Sequence, residues 1–344
     1  MLKIHHDPDR ADAYRAMQPF RFDEQLRCIC VFDKDLIAEI FRSDRFKVIA
    51  FADHYRQIAD RTKIDFDASI AALHHVPLAN EGDHHRHLRG QVASVIGADS
   101  RGKLSAIEGF IAALTVATFT GGREVDLVHD VAMPIFDRLF SLWFGLEQSE
   151  LVEHMNVSQV FDMTMSLNRR KGVNDQVAAM TCAFAGQQAR LPTTPEIAVA
   201  MNILGNDALI GSIALSLWHT LSRNPGKRLD EIAYPDDLPS TGVPFIERVA
   251  TEDLEIGGLA VRKGQRVRLM IDATAYHVSE DEADLLFGKG RHLCLGKPAT
   301  LAIWRSLVKA LATNVRHFAI GEIKMRTGDY AFSFPEYARV SIHD

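Results

Sequence analysis

The stretch AVAMNILGNDALIGSIALSLWHTL, residues 198 to 221, is apolar on every face when wound as a helix. Such a helix cannot lie on a surface; it must be enclosed by other elements or by lipid. Asn202, Asn206, Asp207 and His219 would be costly in hydrocarbon, so the expectation is a buried core helix. The chain has 344 residues, 47% hydrophobic and 24% charged, enough to build a sizeable core around it. A net charge of -6 argues against nucleic-acid binding as the main activity.

Around that helix the periodicity is mostly helical. Residues 27 to 46 read as a strand, a turn at Asp33-Lys34 and a short helix with Leu36, Ile37, Ile40 and Phe41 on its apolar side. Residues 100 to 146 read as helices broken at Gly121-Gly122, and 149 to 200 as helices with one long polar interruption, SLNRRKGVNDQ. The proline-rich segment 223 to 244 reads as loop. Short strands follow in FIERVA and DLEIGGLAVRKGQRVRLMI, and a last helix runs from Lys297 to about Phe318, with Pro298 in its first turn. The sum is a mainly α chain with small β-sheets, in a single domain spanning 1–344.

The N-terminal MLKIHHDPDRADAYR has no apolar run of the signal-peptide kind, so the cytoplasm is the simplest location and no membrane is expected. Cys28, Cys30, Cys182 and Cys294 form no CxxC pair. Cys28 and Cys30 fall on one face of a strand, packed as small hydrophobes.

Cys294 stands apart, within FGKGRHLCLGKPAT at 287 to 300. A helix N-terminus just after it offers N–H groups that lower a thiol's pKa. Gly288, Gly290 and Gly296 let the backbone turn tightly beside it, and Phe287 can pack against a flat group. On these grounds alone the residue reads either as a structural buried cysteine or as a thiolate ligand or nucleophile.

The spacing F-x-x-G-x-H-x-C-x-G, filled by Phe287, Gly290, His292, Cys294 and Gly296, resembles the heme-ligand loop of the cytochrome P-450 superfamily in every specified position. The resemblance implies a cytochrome P-450-like fold, a b-type heme, Cys294 as axial thiolate, and His292 beside a propionate. EGDHHRHLRGQV, 81 to 92, is similar to the family helix whose His and Arg, here His85 and Arg89, face the propionates. The segment 245 to 269 is similar to the family's sheet region, in which Arg248 reaches the other propionate. By the same resemblance 126 to 151 matches the helix below the heme.

Four features depart from the family pattern. LGNDAL, 204 to 209, aligns with the oxygen-activating signature, keeping Gly205 and Asp207 but with Ala208 in place of Thr. Asp207 then reads as a proton relay or as the cap of a kinked helix. The helix carrying the family's Glu-x-x-Arg pair is missing between Pro239 and Phe245, and the loop before the cysteine shrinks to YHVSEDEADLL, 276 to 286. Gly145 and Gly205 are too close for two long lid helices.

The resemblance therefore implies a heme-thiolate oxidoreductase, in first place a monooxygenase of small organic substrates. Lys289, Arg291 and Lys297 ring the cysteine, and suit either a ferredoxin-like or flavoprotein electron donor or an ordinary charged surface. Ala208 keeps open an enzyme that uses peroxide, or isomerises or dehydrates. The missing helix keeps open a diverged, non-catalytic heme-binding protein.

Overall fold

The apolar stretch folds as one helix, Pro195–Ser222, capped by the Thr194 side chain, which accepts from the Ile197 N–H, and with Pro195 in the first turn. Its flanks are buried nearly all round, among them Ile197, Ile203, Ile213, Leu217 and Leu221. Among the described residues it is the one helix long and apolar enough to cross a membrane, and 72% of its apolar window is buried inside the protein.

The computed structural model describes residues 19–24, 26–146, 157–274, 283–326, 332 and 335–344. In chain order the elements are β1 (Phe20–Asp23), β2 (Cys28–Val31), α1 (Lys34–Arg42), β3 (Phe46–Lys47), α2 (Phe51–Thr62), α3 (Asp67–His75), α4 (Gly82–Gly97), α5 (Ser100–Thr118), β4 (Arg123–Asp126), α6 (Met133–Phe144), α7 (Leu167–Gly186), α8 (Pro195–Ser222), β5 (Ile246–Ala250), β6 (Leu254–Ile256), β7 (Leu259–Val261), β8 (Arg266–Leu269), α9 (Lys297–Leu311), β9 (His317–Met325) and β10 (Pro335–His343). The architecture is mainly α with small sheets. The N-terminal segment 1–18 and most of the segment before the cysteine lie outside the described residues.

A five-stranded sheet runs in the order β1-β2-β8-β5-β3, with β2 and β8 parallel and the other pairs antiparallel. α1 covers it: Asp33 accepts from Leu36 N–H at 2.8 Å to start the helix, and Leu36, Ile37, Ile40 and Phe41 are buried against the strands. The helices α2 to α9 pack around α8 in a second, larger core. Cys28 and Cys30 sit fully buried on β2 in a small cluster with Phe245 and Met270.

Three expectations are corrected. The polar stretch SLNRRKGVNDQ is not an interruption but the start of α7, capped by Ser166. Two of its polar residues point inward: Arg170 is buried over the Tyr55 ring at 4.6 Å, and Asn174 accepts from Ser69 N–H at 2.9 Å. Val173, Val177, Met180 and Phe184 continue that buried face, which the inward Arg and Asn disguise in the sequence. Next, the last helix stops at Leu311, not near Phe318, because Asn314 ends it by donating to Phe119 O at 3.0 Å. The chain then enters β9, and a three-stranded sheet β4-β10-β9 forms from segments that carried no strand expectation.

The segment between Ile232 and Phe245 contains no helix. It lies directly on α8, where the Ser216 hydroxyl donates to Ser240 O and accepts from Ser240 N–H, both at 3.2 Å. The Gly242 N–H donates to Ser212 Oγ at 2.8 Å.

Candidate functional site

Cys294 is placed by a loop with little freedom. Gly288 and Gly290 both adopt φ of +70°, a region that suits glycine, and a Cβ on Gly290 would lie 2.9 Å from Phe41 O. Gly296 has φ of -77°, so it does not turn the chain in the way the sequence suggests; its open side faces Cys294 Sγ at 3.6 Å. Cys294 N–H donates to Phe287 O at 2.9 Å, and α9 begins three residues on.

The loop is fastened from two sides. Arg89 Nη1, on α4, donates to Leu293 O at 2.8 Å. Glu81, just before α4, accepts from Val48 N–H at 2.9 Å and lies 3.2 Å from Arg291 Nε and 3.5 Å from His292 Nε2. Burial alone would raise the Glu81 pKa, but His292, the Val48 N–H and the Arg291 charge outweigh it and hold the carboxyl at about 2. Arg291 also meets Asp44 at 2.5 Å and Phe46 O at 2.7 Å. Of the cations expected to form a docking surface, Arg291 is therefore a structural clamp. Lys297 lies over the Phe287 ring at 5.6 Å.

Cys294 opens onto a cavity of about 310 Å³ lined mainly by apolar side chains. Phe287, Gly296, His292, Arg89 and Arg248 share its wall with Cys294, while Gly205 and Ala208 of α8 also line it. A Cβ on Gly205 would meet only Phe136, at 3.6 Å, so the protein's own packing does not require glycine there. Burial pushes the Cys294 thiol up, against the lowering effect of the Gly296 and Lys297 N–H groups and the Arg89 and Lys297 charges. The N–H groups at the helix start act in the lowering direction that the sequence suggests, and burial acts against them.

His85 is buried, does not line the cavity, and touches its wall through the His292 ring, with centroids 4.1 Å apart. Burial, helped by the charges of His292 and Arg89, lowers its pKa to about 4. Asp207 points away from the cavity: it is buried, accepts from the Ser158 hydroxyl, and lies 3.7 Å from Arg326 Nη1. It neither faces the cavity as a direct relay nor caps a break, since α8 runs through unbroken.

Three groups that sequence reasoning passed over complete the surroundings. Thr241 and Ser212 line the cavity as hydroxyl-bearing residues beside Ala208. Glu247 and Arg268 form a buried ion pair across β5 and β8. Their sequence signal is weak, because a Thr in a loop and an alternating Glu and Arg in strands are commonplace.

No family model matches the chain. Among curated proteins it is 26% identical over 272 residues to Cytochrome P450 165A3 of Amycolatopsis orientalis, covering 66% of this chain and 68% of that protein. It is 22% identical over 239 residues to putative cytochrome P450 YjiB of Bacillus subtilis, covering 53% of this chain and 59% of that protein, less than two thirds of its length. Among solved structures it resembles P450BioI in complex with an acyl carrier protein bearing hexadec-9Z-enoic acid, with a TM-score of 0.76, 19% identity and 97% of each chain covered. It also resembles CalO2, with a TM-score of 0.75, 17% identity, and 99% and 97% covered. The chain has the cytochrome P450 fold, and the curated proteins it resembles are cytochrome P450s.

The likeness to cytochrome P450s implies a heme, and the cavity residues fit one. Arg248 is 4% exposed, its guanidinium donates only to the backbone O of Glu247, and no carboxylate lies within ion-pair distance of it among the described residues. Burial, with the Arg291 charge adding to it and Glu81 opposing, depresses its pKa to about 10. Arg89 likewise has no carboxylate partner among the described residues. Arg248, buried with no carboxylate partner among the described residues, and the half-buried Arg89 on the same wall match a ligand that brings its own carboxylates.

Proposed function

We propose that this protein is a heme-thiolate monooxygenase of a small organic substrate, holding a b-type heme with Cys294 as axial ligand. The observation that carries the reading is the placement of the Cys294 thiol on the same cavity as the Arg89 and Arg248 guanidiniums, which have no carboxylate partner among the described residues, and the open Gly205 position. When bound, the heme supplies reductive activation of dioxygen, favoured by electron donation from the thiolate.

The chain's own residues account for binding and orientation. Arg89, Arg248 and His292 hold the propionates, with His85 packed behind His292. Phe287 and the cysteine loop would hold the heme beside Cys294, and Gly205 and Ala208, which carry no large side chain, would leave room on the side of α8. Val92, Phe136, Trp143, Phe161 and Leu209 make the walls apolar, which excludes water and suits an apolar substrate. Asp207, turned toward Ser158 and Arg326, acts on the cavity only through α8 or through water. Lys289 and Lys297, near the cysteine, would meet an acidic electron donor, a ferredoxin-like protein or a flavoprotein, in the cytoplasm.

A second reading rests on Ala208: with no hydroxyl at that position the protein uses peroxide or catalyses an isomerisation or dehydration. Turnover that proceeds at the same rate with no reductant supplied supports it, and Ala208→Thr raising coupled hydroxylation supports the first.

The test of the ligand is the absorption spectrum of the reduced, CO-bound protein, wild type against Cys294→Ser. A red-shifted thiolate Soret band is expected in the wild type alone. If the wild type lacks the band, or the serine variant keeps it, Cys294 is not the ligand.

A further inference from the structure

Position 208 of α8 carries a methyl group where the family's signature has a hydroxyl, and the segment that replaces the missing helix lies against α8 at that same position. An ideal Cβ on Gly242 would stand 2.7 Å from Ala208 O and 2.9 Å from Ser212 N, so the two backbones touch. Only glycine permits that approach. The contact is held by α8's own hydroxyls: Ser212 Oγ accepts from Gly242 N–H at 2.8 Å, and Ser216 exchanges two hydrogen bonds with Ser240.

The residue set between these anchors is Thr241. It is 4% exposed and lines the cavity together with Ala208 and Ser212. The two cavity hydroxyls differ in what they have left to give. The Ser212 proton is committed to Ala208 O at 2.6 Å. Thr241 Oγ1 accepts from Val243 N–H at 3.0 Å, and among the described residues nothing takes its proton. A hydroxyl that accepts from its own backbone and donates to nothing is a donor held ready for the cavity.

We propose that the Thr241 hydroxyl is the hydrogen-bond donor to ligands bound on the α8 side of the heme, taking over from loop 240 to 244 the role that Ala208 cannot fill. The inference rests on the heme-thiolate reading. The helix-free segment before β5 thus brings a hydroxyl to the wall of α8 beside Ala208, which has none.

The test uses heme-loaded, reduced, CO-bound protein and reads the C–O stretch by infrared spectroscopy. A donor to the CO oxygen lowers that stretch. Thr241→Val is expected to raise it, Thr241→Ser to keep the wild-type band, and the wild-type band to shift when solvent is exchanged to D2O. If Thr241→Val leaves the band unmoved, or wild type shows no deuterium shift, Thr241 does not donate into the cavity. The Soret band of the same samples separates the two levels of the argument. A thiolate Soret band with an unmoved C–O stretch overturns this inference alone, whereas its absence from wild type overturns the parent reading and this inference with it. Should Thr241→Val not fold, the deuterium shift of wild type decides.

Discussion

Glu247 and Arg268 stand opposite one another on β5 and β8, with Arg268 Nε and Nη2 3.0 and 2.9 Å from the same carboxylate oxygen. Both side chains are buried, the guanidinium lies 3.8 Å from the Phe245 ring centroid, and Arg266 Nη1 comes within 3.7 Å of the other oxygen. The chain has no Glu-x-x-Arg helix in the segment before β5, yet it keeps a buried Glu–Arg pair on the strand that carries Arg248. Removing one partner leaves the other charge buried. Arg268→Met or Glu247→Leu alone is expected to cost about 3–5 kcal/mol, while the double replacement costs much less. Urea denaturation of the three variants checks this, and equal losses in all three would mean that charge pairing is not what the site supplies.

Asp207 and Ser158 give a smaller and sharper case. The Ser158 hydroxyl donates to a carboxylate in the middle of the most apolar helix, and both residues are buried. Ser158→Ala removes a charge-assisted bond and leaves Arg326 as the ionic neighbour at 3.7 Å. The expected loss is about 1–3 kcal/mol in thermal or urea unfolding. If the heme CO spectrum is unchanged in that variant, the role of Asp207 here is to fix α8 to the segment 157 to 161.

Glu81 makes stability depend on pH. Its folded pKa of about 2 lies below the ordinary value of 4.5, so the unfolded chain takes up the proton first as pH falls. Its contribution is fully present above about pH 4.5 and is lost progressively down to about pH 2. Between pH 5 and 3, on the order of the window set by those values, wild type is expected to lose its advantage over Glu81→Gln. A wild-type minus variant difference that stays flat across that window would show that the Val48, Arg291 and His292 contacts do not favour the ionised form.

What the sequence made legible depended on spacing along a single segment. The loop around Cys294, the strand and capped helix at 28 to 42 and the apolar α8 each carry their signal in adjacent residues, and the structure forms each of them. The first half of α7 is hidden in the sequence because Arg170 and Asn174 face inward, so polarity misreports burial. The sheet of β4, β9 and β10 and the Glu247–Arg268 pair are set by pairings between distant segments. The direction of the Asp207 side chain, away from the cavity, follows from the rotation of α8, which an all-apolar helix does not reveal.

Three glycines separate backbone strain from steric exclusion. Gly226 adopts φ of +79° with nothing within 4 Å of an added Cβ, so Gly226→Ala costs only the left-handed conformation, about 1–2 kcal/mol. Gly242 has no left-handed φ, but its Cβ would collide with the Ala208 and Ser212 backbone of α8. Neither backbone can swing aside as a flexible side chain would, so Gly242→Ala is expected to cost about 1–3 kcal/mol through overpacking. Gly290 combines both, with φ of +70° and Phe41 O at 2.9 Å, and should be the worst of the three. Urea midpoints of the three alanine variants test the order, and heme retention distinguishes the sites: Gly290→Ala distorts the cysteine loop and should loosen heme, whereas Gly226→Ala should not. A Gly242→Ala protein as stable as wild type would mean that the segment 240 to 244 does not rest on α8 at Ala208, and the placement of Thr241 beside that position would fall with it.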